Sequence, residues 1–551
     1  AHTRWATHGR VTEENAHPHY DTTDSVHIVV NGIVENYIAL KARLMAEHPP
    51  AVFTSETDAE VIAHLVAHHY EGDLFEAVRA AYAELRGHYA FVALTAREPG
   101  VLVGARKECP LVVGRGDGES FIASAIPAFL RETRHVQYIG DDELVVLRPE
   151  GTEFFTAGGE PVHHDVVEID WDADTAEKQG FETFMLKEIH EQADAVAETI
   201  GERAARGWGV DLGDLTPPDH ADASPIDDAL LRRIRRVVIV ACGTAYHAGL
   251  IGRYAIEQWA RVPVEVDIAS EYRYRDPVVG PDDLVIGISQ SGETADTLAA
   301  MRTARAKGAR VLAVTNVMGA QATREADGVL YTRAGLEIGV AATKTFVSQI
   351  TVMYLLALRL AEVRGVMNRA ELKPPISDLK RLPHMIAELL ERDVVGIEAI
   401  AKAHYQSEFF LYLGRHVGLP IALEGALKLK EISYIATDAY AAGEMKHGPI
   451  ALLGEDTPVV VVATQSPVLE KVISNIQEVR ARGARVIAVA TEGDETIAEH
   501  ADEVIRVPPT DWMLAPLLAV IPLQLLAYHI ARLRGLNVDQ PRNLAKTVTV
   551  E

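Results

Sequence analysis

Cysteine is scarce in this chain of 551 residues, which contains only Cys109 and Cys242. Two cysteines cannot supply a disulfide framework or a four-thiolate metal site. Such a low cysteine content is typical of proteins in a reducing compartment. We therefore expect a cytoplasmic protein. Cys109 precedes a proline and a strand, and this position favours a structural thiol over a reactive one.

Positive charge is also in short supply. Lys and Arg number 53 against 79 Asp and Glu, which leaves a net charge of −26. An excess of negative charge repels a polyanion, and the sequence has no basic patch that would overcome this repulsion. We expect no nucleic-acid partner.

Signals for membrane association are weak as well. The chain does not open on a basic segment followed by an apolar one, so no signal peptide is predicted. The stretch Trp512 to Ala531 is long and uncharged enough to cross a membrane. It contains Pro516, Pro522 and Gln524 and follows an αβ pattern, so we predict a buried helix and no membrane partner.

The pattern of predicted elements divides the chain into several parts. Over 1–165, β-branched and aromatic runs separated by Gly and Pro predict an α+β domain with a helix over Asp58–Tyr70. Over 166–230 the pattern becomes more helical and then acidic, and the Gly, Pro and Asp content of "GWGVDLGDLTPPDHADASPIDD" is typical of an exposed connection, so we predict a linker there. After Arg235, apolar strands alternate with helices, which predicts α/β lobes with parallel sheets and right-handed crossovers.

The second half contains an internal repeat. "RAKGARVLAVTN", from Arg305, matches "RARGARVIAVAT", from Arg480, at an offset of 175 residues, and each predicts a helix end followed by a strand. We expect two similar α/β lobes, at 231–365 and 403–540. A helical connection over 366–402 joins them, and a polar tail over 541–551 ends the chain.

Two loops in the first lobe favour phosphate binding. The apolar strand Leu284 to Ile288 passes through small and hydroxylated residues into a helix, and backbone N–H groups at such a point can hold a phosphate. The same residue types also serve as ordinary helix caps. A second strand leaves through a similar loop, so both loops can converge at one sheet edge. The candidate residues are Ser289, Gln290, Ser291, Gly292 and Thr294 in one loop and Cys242, Gly243 and Thr244 in the other.

The second lobe carries a charged helix face. In "LEGALKLKEISY", Glu424, Lys428 and Glu431 are spaced to share one side of a helix. A solvated ion-paired surface is one interpretation. The other is acid and base chemistry on a sugar, because His447 follows in the Gly-rich segment "AAGEMKHGP".

Two further patterns favour structure over chemistry. His64 and His68 lie four residues apart on a predicted helix but have no third ligand in the pattern, so no metal site is predicted. Asn31 and Gly32 form an "NG" pair, which is typical of a hairpin turn.

The chain resembles the family of isomerising glutamine–fructose-6-phosphate aminotransferases, also called glucosamine-6-phosphate synthases. The resemblance covers essentially the whole chain. It rests on "HTRWATHG", "NAHPH", "NGIVEN", "SETDAEV", "CGT", "SQSGET", "ALEGALKLKEISY", "GEMKHGP" and "DQPRNLAKTVTVE". It implies an N-terminal-nucleophile glutaminase domain and two sugar-isomerase lobes, no cofactor, and a homodimer. The substrates would be fructose 6-phosphate and glutamine.

The resemblance also implies residue roles. In the isomerase half, Lys546 would form a Schiff base with the C2 carbonyl, Glu431 would shuttle a proton between C1 and C2, and His447 would assist ring opening. Lys428 would aid proton transfer at amination. The two loops, with Val340 and Glu424, would bind the sugar phosphate. The match departs from the family at Ala245 and Ala342, where family members carry serine.

The glutaminase half would bind glutamine. Arg4 would hold its carboxylate, Trp5 would gate the ammonia passage, Asn31 and Gly32 would form the oxyanion hole, and Asp58 would bind the α-amino group. The matching motif adds Thr7 and His8. Family members begin with a nucleophilic Cys, whereas this chain opens at Ala1, so we expect only the isomerase half to be active. The alternative to an enzyme is a regulatory protein that senses sugar phosphates.

Overall fold

The computed structural model describes residues 2, 9–10, 12–47, 52–169, 178–204, 209–213, 215, 226–392 and 394–548. These fall into two compact units. Unit 1 lies within Ala1–Glu177, Glu293–Ala295 and Thr547–Glu551, and unit 2 lies within Lys178–Gly292 and Asp296–Lys546.

Unit 1 contains two antiparallel sheets, with orders β1-β2-β3-β4-β8-β9-β10 and β11-β7-β5-β6 among the described residues. Its helices α2 and α3 cover one face of the larger sheet and bury Val61, Ile62 and Val78 against it. The elements are β1 His19–Tyr20, β2 Val26–Val34, α1 Tyr37–Glu47, α2 Glu60–His69, α3 Leu74–Glu84, β3 Gly87–Thr95, β4 Leu102–Lys107, β5 Val112–Arg115, β6 Ser120–Ala123, a 3₁₀ turn Ile126–Ala128, β7 His135–Tyr138, β8 Glu143–Arg148, β9 Gly151–Thr156, β10 Pro161–Val162 and β11 Val167–Glu168.

The predicted hairpin turn at Asn31 and Gly32 is wrong. Both residues lie inside β2, where they pair with Ala90 and Tyr89 of β3. Gly32 has a φ of +123°, and a Cβ there would lie 2.2 Å from the carbonyl oxygen of His88. The glycine therefore permits a close approach of two strands, and the "NG" pair has no turn role here.

Unit 2 contains two parallel sheets of matching order, β13-β12-β14-β15-β16 and β18-β17-β19-β20-β21. Their strands are apolar on both faces because helices cover both sides. The elements are α4 Phe184–His190, α5 Gln192–Ile200, a 3₁₀ turn Gly201–Ala204, α6 Asp228–Arg233, β12 Arg236–Ala241, α7 Gly243–Ala255, a π-helical turn Ile256–Ala260, β13 Val264–Ile268, α8 Ala269–Tyr272, β14 Asp283–Ile288, α9 Ala295–Ala306, β15 Arg310–Thr315, α10 Gln321–Glu325, β16 Gly328–Tyr331, α11 Lys344–Val363, α12 Arg369–Arg392, α13 Val394–His404, β17 Phe409–Gly414, α14 Gly418–Ser433, β18 Ala436–Ala441, 3₁₀ turns Ala442–His447 and Pro449–Leu452, β19 Pro458–Ala463, α15 Leu469–Arg480, β20 Arg485–Thr491, α16 Glu495–His500, β21 Glu503–Val507 and α17 Ala515–Leu533.

The predicted repeat is confirmed in the two sheets. The matching segments form the end of α9 with β15, and the end of α15 with β20. β15 and β20 hold the same fourth position in their respective sheets. The two lobes are therefore built on one topology.

Part of the predicted linker is helical and buried, and is not an exposed connection. Within 166–230, α4 and α5 pack in unit 2, and α5 contacts α11 and α12. Met185, Ile189 and Val196 are fully buried because their spacing places them on helix faces that meet this core.

Two helices, α11 and α17, are long and apolar enough to cross a membrane. In each, 83% of the apolar window is buried inside the protein, as in the core helix of a soluble protein. Pro522 lies inside α17 and is itself buried. The predicted buried helix over Trp512 to Ala531 is confirmed by α17.

Candidate active site

The two candidate phosphate loops leave one edge of the first parallel sheet. β12 and β14 are hydrogen-bonded neighbours, and Ala241 pairs with Ile288 at their carboxyl ends. Cys242–Thr244 follow β12, and Ser289–Gly292 follow β14. The structure thus brings the two loops to one sheet edge, as the sequence pattern indicated.

The loop after β14 is held in a defined shape. The Ser289 N–H donates to Val314 O at 3.0 Å, and the Gly292 N–H donates to the Ser289 hydroxyl at 3.1 Å. Gly292 has a φ of +67°, and a Cβ there would lie 2.6 Å from the Cβ of Ala320. Only glycine fits this bend. Thr294 follows two residues later, directly before α9.

The loop after β12 reaches the second lobe through Thr244. Its hydroxyl donates to Glu424 Oε1 at 3.0 Å and accepts from Lys428 Nζ at 3.1 Å. His247, one turn along α7, places Nδ1 2.7 Å from Glu424 Oε2. Sequence analysis did not single out His247, although its spacing from Thr244 places both on one helix face.

The charged face of α14 is buried. Glu424 and Lys428 are both 0% exposed, which rules out the solvated-surface interpretation for these two residues. Lys428 Nζ lies 2.6 Å from Glu431 Oε2 and 3.4 Å from Glu424 Oε1. A buried ammonium between two carboxylates is an arrangement that can hold or pass a proton.

Electrostatics fixes the charges of this cluster. Burial alone would lower the pKa of Lys428, but the carboxylates of Glu424 and Glu431 outweigh it and hold that pKa above the usual value. Burial likewise works to raise the pKa of Glu424, and Lys428, His247 and Thr244 together hold it below the usual range. Glu424 and Lys428 are therefore both ionised at neutral pH.

Lys546 lies in a second polar cluster. Its Nζ donates to Glu337 Oε2 and, at 2.7 Å, to Gly339 O. Glu337 also accepts from the backbone N–H of Thr343 and from both the N–H and hydroxyl of Thr345. Val340 donates its N–H to Asp539 O at 3.0 Å, which ties the same loop to the C-terminal segment. The sequence did not point to Glu337, because the lysine whose amine it accepts lies 209 residues away along the chain.

Cys242 and His447 lie apart from these ion pairs. Burial raises the pKa of the Cys242 thiol, and the negative charge of Asp296 adds to the rise, so the thiol form is favoured. His447 is exposed at the end of the 3₁₀ turn Ala442–His447. Among the described residues, no hydrogen bond or ion pair joins His447 to Glu431 or Lys546.

In unit 1, three of the predicted glutamine-site residues are described. Asn31 and Gly32 lie in β2, and Asp58 is buried and accepts the N–H of Val34 at 2.7 Å. Asp58 therefore fixes the end of the strand that carries the other two. The remaining predicted residues, Arg4, Trp5, Thr7 and His8, lie outside the described residues.

Comparison with known proteins gives matches to both units. A family described as "SIS domain" matches residues 230–359 and 405–534, and one described as "Glutamine amidotransferase domain" matches residues 2–131. Two curated relatives are named "Glutamine--fructose-6-phosphate aminotransferase [isomerizing]". The chain is 47% identical over 550 residues to the Clostridium tetani protein and 51% identical over 552 residues to the Symbiobacterium thermophilum protein. Each alignment covers 100% of this chain and 88% of the relative.

A solved structure matches unit 2. The C-terminal domain of glucosamine-fructose-6-phosphate aminotransferase from Francisella tularensis is 38% identical, with a TM-score of 0.61. The match covers 66% of this chain and 100% of that one.

Proposed function

Because the chain belongs to the family of isomerising glutamine–fructose-6-phosphate aminotransferases, we propose which of its residues convert fructose 6-phosphate and glutamine into glucosamine 6-phosphate and glutamate. The observation that carries the assignment is the buried Glu424–Lys428–Glu431 cluster, which contacts the loop at Thr244. A protein that only binds a sugar phosphate needs the two loops, but it does not need a buried acid–base cluster beside them.

The sugar phosphate binds at the edge of the first sheet. Ser289, Gln290, Ser291 and Thr294 supply hydroxyl, amide and backbone N–H donors to the phosphate, with Cys242, Gly243 and Thr244 opposite. Two neighbouring strands that end in such loops support this placement. Val340 and Glu424 complete the sugar site. Ala245 and Ala342 offer no hydroxyl there, whereas the family resemblance implies serine at both positions.

The chemistry needs an amine, an acid and a base. His447 assists opening of the sugar ring. The Lys546 amine then attacks the C2 carbonyl, and water leaves as the Schiff base forms. Glu431 moves a proton between C1 and C2, and Lys428, ion-paired to Glu431 at 2.6 Å, aids proton transfer when nitrogen is introduced.

Glutamine binds in unit 1. Arg4 and Asp58 hold its carboxylate and α-amino group, Asn31 and Gly32 stabilise the oxyanion, and Trp5, Thr7 and His8 complete the site. The hydrogen bond that Asp58 accepts from Val34, at the end of the strand that carries Asn31 and Gly32, supports its place in this site.

The wider organisation follows the same proposal. The glutaminase domain spans 1–165, the linker 166–230, the isomerase lobes 231–365 and 403–540, the helical connection 366–402 and the active-site tail 541–551. The protein acts in the cytoplasm as a homodimer, in which the exposed His447 serves the neighbouring subunit.

The test compares Lys546→Ala with the unchanged protein. Each is given fructose 6-phosphate with glutamine or ammonium, and glucosamine 6-phosphate, glucose 6-phosphate and glutamate are followed by mass spectrometry. We expect Lys546→Ala to lose sugar conversion and to keep fructose 6-phosphate binding in calorimetry. Lys471→Ala, an exposed residue of α15, is the matched control.

Two results would contradict the proposal. Sugar conversion that survives Lys546→Ala would exclude the Schiff base. Binding of fructose 6-phosphate without any conversion by the unchanged protein would favour the alternative, a regulatory protein that senses sugar phosphates.

A further inference from the structure

Glu188 is a buried carboxyl group that the proposed chemistry does not use. It lies on α4, is 2% exposed, and accepts the N–H groups of Ile338 and Gly339 through Oε1, at 2.5 and 3.1 Å. Its Oε2 is buried without a hydrogen-bond partner among the described residues. A buried carboxylate oxygen without a partner is costly, so its presence needs a reason.

The segment that Glu188 holds is the one that holds Lys546. Gly339 donates its N–H to Glu188 and accepts from Lys546 Nζ through its carbonyl, at 2.7 Å. A Cβ at position 339 would lie 2.7 Å from Glu188 Oε2, so any larger residue there would displace the carboxylate from its present position. Glu337, two residues earlier, is the other acceptor of the amine.

The C-terminal segment is fixed to the same helix. Asp539 accepts the N–H groups of Phe184 and Met185, the first two residues of α4, at 3.0 and 2.9 Å. Thr183 caps the helix through the Leu186 N–H. The start of α4 therefore binds the C-terminal segment at Asp539. Farther along the helix, Glu188 binds Ile338 and Gly339, which lie beside Lys546.

We propose that Glu188 is a positioning residue for the Lys546 amine. Glu188 holds the Gly339 carbonyl, which accepts from that amine, in place. The charge of Glu188 also influences whether Lys546 or Glu337 carries the proton that they share. This rests on the proposed Schiff-base role of Lys546. The step is a single proton transfer. The ammonium gives one proton to the Glu337 carboxylate, which leaves a neutral amine and a neutral acid, and no other bond changes.

Charge gives the direction of this effect. Burial, followed by repulsion from Glu337, raises the pKa of Glu188 to about 7, and Lys546 and the backbone N–H groups oppose the rise. Since Glu337 acts on Glu188 more strongly than Lys546 does, ionised Glu188 raises the proton affinity of Glu337 more than that of Lys546. Ionisation of Glu188 therefore favours the neutral, nucleophilic amine.

Other titratable groups lie near α4, and their effects on the pH profile must be distinguished from the effect of Glu188. Burial lowers the pKa of His190, so this imidazole is less readily protonated than an exposed histidine. Among the described residues, the charged and titratable groups that face Glu188 or its helix include Glu337 and Lys546 on the held segments, Asp539 and Tyr528 near the helix start, Lys187 and His190 on the helix, Glu191 directly after it, and Lys344 of α11, which is ion-paired with Glu191.

The experiment measures the amine directly. Protein is incubated with fructose 6-phosphate and cyanoborohydride between pH 6 and pH 8, and the reduced adduct on Lys546 is quantified by peptide mass spectrometry. Glu188→Gln retains an oxygen that can accept both N–H bonds but cannot ionise. Around a pKa of about 7, the ionised fraction of Glu188 in the unchanged protein rises about tenfold between pH 6 and pH 8. We therefore expect the ratio of the unchanged protein's trapping rate to that of Glu188→Gln to be smallest at pH 6 and to rise by up to about tenfold at pH 8.

Further variants define the outcome. Glu188→Asp keeps a titratable carboxyl, so its rate relative to the unchanged protein should change little with pH. His190→Asn and the exposed Glu198→Gln should keep the unchanged profile. A Glu188→Gln ratio that is the same at every pH would overturn the inference while leaving the Schiff base intact. Absence of any Lys546 adduct in the unchanged protein would overturn both.

Discussion

Replacement of Lys428 by methionine tests the buried cluster on α14 most directly. Methionine has a similar length and no charge, so it leaves Glu424 and Glu431 without their ammonium. Removal of one partner from a buried ion pair costs about 3 to 5 kcal/mol, because the remaining charge stays buried and unpaired. Glu424 is 0% exposed, so we expect a loss of about 3 to 5 kcal/mol in the free energy of unfolding of unit 2.

The loss should depend on pH. In the unchanged protein the pKa of Glu424 is held low despite its burial, so its stabilising contribution exists above the unfolded carboxyl pKa and is lost as pH falls through the lower folded value. Without Lys428, burial should raise the pKa of Glu424, and its ionisation then costs stability at neutral pH. The difference between the two proteins should therefore be largest at pH 7.5 and smallest near about pH 4.

Urea unfolding followed by tryptophan fluorescence at both pH values measures this difference. Lys430→Met is the matched control, since Lys430 lies two residues along α14 and is exposed. We expect the control to change stability by less than about 0.5 kcal/mol. A loss below about 1 kcal/mol for Lys428→Met, or an equal loss at both pH values, would refute the claim that a buried ammonium holds two carboxylates together.

Two glycine substitutions test the backbone geometry. Gly292→Ala should weaken fructose 6-phosphate binding about tenfold in calorimetry, because φ is +67° and the new Cβ meets Ala320, whereas Gly280→Ala, with nothing within 4 Å, should bind normally. Normal binding by Gly292→Ala would show that the affinity for fructose 6-phosphate does not depend on the shape of this loop. Gly32→Ala should destabilise unit 1 by about 3 kcal/mol in thermal unfolding, since the Cβ meets a carbonyl oxygen at 2.2 Å, and Gly158→Ala should be near neutral. An unchanged melting temperature for Gly32→Ala would mean that β2 and β3 can separate at little cost.

Local pattern was sufficient for much of the fold. The alternation of apolar strands and helices after Arg235 predicted the parallel sheets, and the repeat at Arg305 and Arg480 predicted two lobes of one topology. These features depend on periodicity and burial, which the sequence displays directly. The family and its reaction were also accessible from motifs, because each motif keeps its chemistry within a few consecutive residues.

Pairing between distant segments was not accessible in the same way. The "NG" pair at Asn31 has the composition of a turn, but β3 lies alongside it and converts it to strand. Spacing placed Glu424 and Lys428 on one helix face, yet only the packing of α14 against Thr244 and its lobe shows that this face is buried.

The sequence by itself determined the order of the matched domains and the sheet type, and it pointed to the candidate phosphate loops and the candidate lysine, since each is encoded in a short continuous stretch. Tertiary structure alone decided which charges face one another. Lys546 meets Glu337 across 209 residues, and the charged group of Glu188 accepts the backbone N–H of Ile338 across 150. Such separations leave no periodic trace in the chain, because a buried ion pair constrains two points in space and nothing between them.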